Sequence, residues 1–232
     1  MHFGRQYRQL VMAPLAEQLI VAADVKPGEV CAEFLCDGDS ALRDPLARLA
    51  PGANLLTSDA TPQGGCDVVF NLLTLGWGNP ASAVTTMRKM LKPGGRLAIL
   101  TYSGGNAAHE MILRDAVGED WGLFPDLTGL LEQCTRVREL LRFDGPHQFW
   151  DAMVDGRDIV QRYSVEQLTK IRHQVEERLH PYEAADGTIR MPIDAMLYIE
   201  RRALAAHRVD ELAGQMLPAD VDQAGAHRKG GV

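Results

Sequence analysis

The sequence has no basic block. Its formal net charge is -7, and nonspecific nucleic-acid binding needs a positive footprint, so nucleic acid is not expected as a partner. It has no uninterrupted apolar run near the roughly 20 residues that cross a bilayer, which argues against a membrane-spanning chain. The amino terminus, "MHFGRQYRQLVMAPLAEQL", lacks an apolar core followed by a small-residue cleavage site, so no secretory signal is read there. These absences together set the expectation of a soluble, cytoplasmic protein. Cysteine is scarce: Cys31, Cys36, Cys66 and Cys134 form no CxxC pair, and none lies at metal-ligand spacing from a histidine. No metal site is expected, and the cysteines read as small hydrophobes in a reducing compartment. No period of roughly 20 to 50 residues repeats, which excludes solenoids and propellers.

What is present is an ordinary globular balance, 46% hydrophobic and 24% charged over 232 residues, enough for one domain with a substantial core. Apolar positions at helical spacing (Leu10, Val11, Leu15, Leu19, Ile20 and Ala23) predict a helix over 5–23. Val30 to Leu35 reads as a buried strand and "CDGDS" as a turn, with Ser40 or Asp39 capping a helix over 41–49. Asn54 to Thr57 reads as a second strand and Asp67 to Leu73 as a third. Asn79 and Pro80 introduce a helix over 81–91, "KPGG" supplies glycine at its stop, and Arg96 to Tyr102 reads as a fourth strand. The second half is more helical, with helices over 107–117, 148–153 and 165–179 and strands over 136–143 and 195–201. In the 165–179 helix, Val165, Leu168, Ile171, Val175 and Leu179 lie on one face. From about Ala206 the chain turns polar and reads as a frayed tail.

Strands alternating with helices up to residue 102 imply an α/β protein, a mostly parallel sheet with helices on both faces. Ligands of such sheets bind beyond the carboxyl ends of the strands, where strand order reverses. That rule gathers residues 36–40, 58–60, 71–78 and 103–106 around one crevice.

The segment "DVVFNLLTLGWGNPASAVTTMRKMLKPGGRLAILTY" resembles the fourth-to-fifth-strand region of class I S-adenosylmethionine-dependent methyltransferases, of the small-molecule type found in ubiquinone and menaquinone biosynthesis. Met87, Met90, Leu91, Lys92, Pro93, Gly94, Gly95, Arg96 and Leu97 match that family's "MxRxLKPGGRL" ending. The late segment "HPYEAADGTIRMPIDAMLYIERR" resembles its last strand region. The resemblance spans residues 7–204 and implies a Rossmann-like fold over 1–205, with a helical lid at about 107–180. It also implies S-adenosylmethionine as cofactor and a small molecule as substrate.

The family's first loop reads D/E-x-G-x-G-x-G. The stretch in register here is Glu33, Phe34, Leu35, Cys36, Asp37, Gly38, Asp39. Glu33 supplies the leading acid, but Leu35, Asp37 and Asp39 stand where glycines allow positive φ and close approach of the backbone to a ligand. Two readings follow. In one, Glu33, Cys36, Asp37 and Gly38 form an adapted cofactor loop whose carboxylates favour an ammonium or sulfonium. In the other, the aspartates only make a solvated surface turn. Asp59 follows the loop at the spacing, about 20 residues, of an acid that bonds ribose hydroxyls. "SDA" also resembles the family's adenine-facing "GDA". Only one helix precedes this strand, so it should lie beside the first, which favours the ribose position. Only "ATPQGGC" separates Asp59 from Asp67, too little for the dozen or so residues of a helical crossover. One helix–strand unit of the family is therefore expected to be missing, and with it a wall of the adenine side.

In-line methyl transfer from a sulfonium depends mainly on positioning, so no acid–base motif marks the chemistry. By the resemblance, Asn71 falls where substrate-facing residues begin, and Tyr7 either covers the cofactor or is a half-buried packing residue. Tyr102 ends the strand over 96–102, and Trp77 and His109 lie near the expected rim. Trp77 stacks on a ligand or covers its loop, and His109 is a base or a solvated helix-terminal residue. Apolar positions such as Phe124, Leu127, Phe149 and Trp150 in the lid line a pocket, fill the core or meet a further subunit, homo- or hetero-oligomeric. Two functions are compatible with these residues: a small-molecule methyltransferase, and an inactive methyltransferase-like binding module.

Overall fold

The computed structural model describes residues 4–34, 40–57, 63–75, 79–102, 107–118, 129–131, 134–155 and 157–203. Six strands form one sheet in the order β2-β1-β3-β4-β6-β5, where β1 is Val30–Glu33, β2 Asn54–Thr57, β3 Cys66–Leu72, β4 Leu91–Tyr102, β5 Cys134–Phe143 and β6 Ile189–Arg201. β2, β1, β3 and β4 run parallel, and β6 is antiparallel to both β4 and β5. The chain moves from β1 to β2 on one side and then to β3 on the other side of β1, so strand order reverses between β1 and β3. β2 is the neighbour of β1, as its single preceding helix requires. Among the described residues no strand lies outside β2. Among the described residues the sheet is thus one helix–strand unit shorter than the pattern expected from the resemblance on that side.

The amino-terminal helical segment runs from α1 (Arg5–Tyr7) through a π-helical stretch (Arg8–Met12) into α2 (Ala13–Ala22). The π stretch ends two residues before Pro14, whose ring has no N–H to continue the regular ladder. α3 (Arg43–Leu49) follows a turn in which Ser40 Oγ accepts from the Leu42 N–H at 3.0 Å. α4 (Pro80–Met90) is capped by Asn79, whose side chain accepts from the Ser82 N–H. α5 (Ala108–Val117), α6 (Pro146–Val154), the single turn α7 (Ile159–Arg162) and α8 (Val165–Leu179) complete the set. Ser164 and Gln167 form a reciprocal capping box at the start of α8.

Alternation along the central strands divides the core. Val68, Phe70, Leu72, Ala98 and Leu100 face the layer that contains α2, α5, α6 and α8, whereas Val69, Leu97 and Ile99 face α4. Within the larger half, Phe143 and Phe149 meet edge-on with centroids 5.1 Å apart, worth about 1 kcal/mol beyond their burial. α8 buries Ile171, Val175 and Leu179, while Val165 at its first position is 82% exposed and lies off the expected face.

The "KPGG" segment differs from its expected role. The helix ends at Met90, and residues 91–95 already belong to β4. Leu91 pairs with Cys66 and Arg96 with Val68, so residues 92–95 bulge opposite Asp67 alone. Gly94 has φ +80°, and a Cβ on Gly95 would lie 2.9 Å from the Lys92 carbonyl oxygen and 3.1 Å from those of Cys66 and Asp67. The glycines therefore serve a bulge and a close backbone approach. Asp67 holds it in place, accepting from Lys92 Nζ at 2.9 Å and from the Val30 N–H at 2.8 Å.

Candidate functional site

The reversal point lies between the carboxyl ends of β1 and β3, and the polar residues there are buried. Glu33, at the end of β1, is 3% exposed, and Asn71, near the end of β3, is fully buried. Asn71 Nδ2 donates to the Phe34 carbonyl at 3.0 Å, joining the two strand ends. It also donates to Thr74 Oγ1 at 2.6 Å. Thr74 is brought back by Leu73, whose φ of +62° lies in the left-handed region, a conformation that costs a branched side chain on the order of 1 kcal/mol and clusters at ligand sites. Because Phe34 O can only accept, the amide orientation is fixed, and Asn71 Oδ1 points elsewhere. That oxygen is buried and has no hydrogen-bond partner among the described residues. Separately, a cavity of about 330 Å³ opens between the amino-terminal helical segment and the turn into α3, lined by Arg5, Arg8, Ser40, Arg43 and Asp44 among others.

A second polar cluster lies under the amino-terminal helix. Tyr7 donates to Glu110 Oε1 at 2.5 Å and contacts the Tyr102 hydroxyl at 2.8 Å. The Tyr102 hydroxyl lies 3.0 Å from His109 Nε2. Arg157 grips Glu110 through both nitrogens, Nη1 to Oε2 at 2.9 Å and Nη2 to Oε1 at 2.6 Å, and its guanidinium carbon lies 5.2 Å from the Tyr7 ring centre. All five side chains are buried. Burial pushes the Tyr7 and Tyr102 phenols well above their ordinary range, and the Glu110 carboxylate adds to both. Burial alone would raise the Glu110 carboxyl. The Arg157 charge and its hydrogen bonds outweigh that and hold it below the usual value. Burial also brings His109 down to about 4, so the ring is neutral near neutral pH.

The cluster is assembled from four elements: α1 (Tyr7), the end of β4 (Tyr102), the first turn of α5 (His109, Glu110) and the α6–α7 turn (Arg157). α1 is fixed there by Asp155 in that same turn. The Gly4 N–H donates to the Asp155 carbonyl at 2.9 Å, and the Gln6 N–H donates to the Asp155 carboxylate at 2.8 Å. This aspartate caps α1 from across the molecule.

Of the residues singled out from sequence, Tyr7, Tyr102 and His109 come together in this cluster. His109 is neither solvated nor on the rim but fully buried, and Tyr7 is fully buried as well. Glu33 and Asn71 both lie at strand ends beside the reversal point. Cys36, Asp37, Gly38, Asp59 and Trp77 lie outside the described residues, as do Leu35, Asp39, Phe124, Leu127 and the tail from 206. Glu110 and Arg157 were not legible as site residues. A charged residue in a first helical turn and another in "VDGRD" read as solvated, and nothing in their spacing pairs them. Among the described residues no group of histidines, cysteines or acids could hold a metal ion, and no helix is long and apolar enough to cross a membrane.

No family model and no curated protein sequence matches the chain. Solved structures do. A Bacillus halodurans protein designated a methyltransferase aligns over 81% of this chain and 98% of its own, with a TM-score of 0.50 and 12% identity. An Anaeromyxobacter dehalogenans protein designated a type II methyltransferase aligns over 83% and 97%, with a TM-score of 0.51 and 13% identity. The likeness is one of fold. The chain has a Rossmann-like methyltransferase fold.

Proposed function

We propose that the protein is an S-adenosylmethionine-dependent methyltransferase acting on a small molecule. The observation that carries this reading is Asn71 Oδ1, a buried acceptor without a partner among the described residues, placed where strand order reverses. Such an atom suits a ligand with an ammonium donor. The arginines of the cavity between the amino-terminal segment and α3 suit that ligand's carboxylate. The residues present thus fit the amino-acid end of the cofactor. Asp59, following the strand next to β1, is assigned to the ribose hydroxyls, and Trp77 to the rim. When bound, the cofactor supplies an electrophilic methyl group. The chain's own part is to orient the substrate and exclude water. Cytoplasmic residence belongs to the same proposal.

A second reading has its own support. Leu35, Asp37 and Asp39 occupy the glycine positions of the loop, and β2 is the sheet edge among the described residues, which leaves the adenine side without a flanking strand. These features favour an inactive binding module or partner subunit. Calorimetric titration with S-adenosylmethionine and S-adenosylhomocysteine separates the two. The methyltransferase reading expects saturable binding of both, weakened by roughly tenfold in Asp59→Ala as a hydrogen bond to the ribose is lost. Absence of heat at millimolar cofactor overturns it in favour of the binding module.

A further inference from the structure

The buried cluster beneath α1 has a direction, set by counting protons. Glu110, ionised and doubly bonded to Arg157, can only accept, and Tyr7 donates its one hydroxyl proton to it. The Tyr7–Tyr102 contact of 2.8 Å then has a proton available only from Tyr102. With that proton committed, the contact of 3.0 Å between Tyr102 and His109 Nε2 requires the histidine to donate. A neutral imidazole carries one proton. The chain from Arg157 through Glu110, Tyr7 and Tyr102 therefore fixes the His109 tautomer, with Nε2 protonated and Nδ1 bearing a lone pair. Nδ1 is buried and has no hydrogen-bond partner among the described residues. Leaving such an atom unpaired costs about 1–3 kcal/mol, so its lone pair calls for a donor.

We propose that His109 Nδ1 is the acceptor that receives the hydroxyl or amine N–H of the small-molecule substrate, and that Tyr102, Tyr7, Glu110 and Arg157 are positioning residues that hold it in the accepting tautomer. His109 stands in the first turn of α5, just past the carboxyl end of β4, on the ligand-binding side of the sheet. A donor-bearing group, such as a phenol, alcohol or amine, completes the chain. A carboxylate brings only acceptors, and lone pair would face lone pair. Tyr102 and Tyr7 accept and donate in series, so a change at either end reaches Nδ1 through the tautomer and not through contact. The substrate class assigned here rests on the methyltransferase reading, but the tautomer does not.

Nitrogen NMR of isotope-labelled imidazoles tests the inference, with His109 identified by the resonance lost in His109→Gln. In the wild-type protein at neutral pH, Nε2 is expected protonated and Nδ1 unprotonated. In Tyr102→Phe that preference is expected to be lost while the remaining histidines keep their signals, which separates the effect from unfolding. With S-adenosylhomocysteine present, phenol is expected to shift the Nδ1 resonance, and benzoate is not. A protonated Nδ1 in the free protein, a tautomer indifferent to Tyr102→Phe, or an Nδ1 unmoved by millimolar phenol overturns the proposal. If calorimetry shows no cofactor binding while Nδ1 still answers to phenol, the methyltransferase reading falls and this one stands.

Discussion

His109 is solvated in the unfolded chain and fully buried in the folded one, and burial lowers it from 6.5 to about 4. Between those values the unfolded state binds a proton that the folded state refuses, so stability rises with pH across that window. The whole effect is on the order of 3 kcal/mol, from about 1.4 kcal/mol per pKa unit. The expected outcome is a urea midpoint that falls as pH is lowered from 6.5 towards 4 and is flat above 6.5, with His109→Gln removing the slope. Glu110 is also depressed, from 4.5. Its contribution is present above that ordinary value and disappears at still lower pH, so it does not produce the same window. A slope unchanged in His109→Gln would mean that another group titrates there.

At the scale of elements, α1 depends on a cap borrowed from the α6–α7 turn. A Cβ on Gly4 would overlap the Asp155 carboxylate. Gly4→Ala therefore has to displace the side chain that accepts the Gln6 N–H, at a cost of about 1–2 kcal/mol, the worth of a helix cap. Asp155→Ala should cost about the same. Once Asp155→Ala has removed the obstacle, Gly4→Ala should cost little more, so a double-mutant cycle by urea denaturation is expected to be strongly non-additive. Additive losses would show that the two residues act apart.

Elements were the legible part of the sequence. Asn54–Thr57 and Val165–Leu179 form as read, because a short apolar run and a capped, periodic helix each carry their own signal. β6 and β4 were read shortest relative to their full length. β6 begins at Ile189, not near Ala195, because Arg190, Pro192 and Asp194 on the open face mask the alternating Met191, Ile193 and Ala195 of the core. β4 begins at Leu91 because glycine at positive φ serves a helix stop and a bulge equally well, and only the pairing with β3 decides between them. At the site, aromatic and histidine candidates were legible one by one, but the ion pair that orders them joins residues 47 positions apart.

For the whole molecule, the consequence of the methyltransferase reading is linkage. A cofactor that binds only the folded chain should stabilise it by about 2.7 kcal/mol at a hundred times its dissociation constant, whatever the substrate. In a chain of 232 residues that is a rise of several degrees in Tm, roughly 2–4 °C for each kcal/mol. S-adenosylhomocysteine should raise the midpoint of a thermal scan, with adenosine alone raising it less. Equal shifts from both would place the binding energy on the adenine side, opposite to the acceptors at β1 and β3.

A sheet shortened by one unit also exposes a new margin. β2 ends it on that side with only Asn54–Thr57, while β5, at the far margin, carries Arg136, Arg138 and Arg142 on its open face. A strand that brief offers few free backbone groups to a stray chain, and the charged side chains of the other edge, Arg142 and the Arg136–Asp194–Arg138 cluster, blunt it. The reduced architecture thus brings its own protection against edge-to-edge assembly, so the outer unit is not required to keep such chains apart.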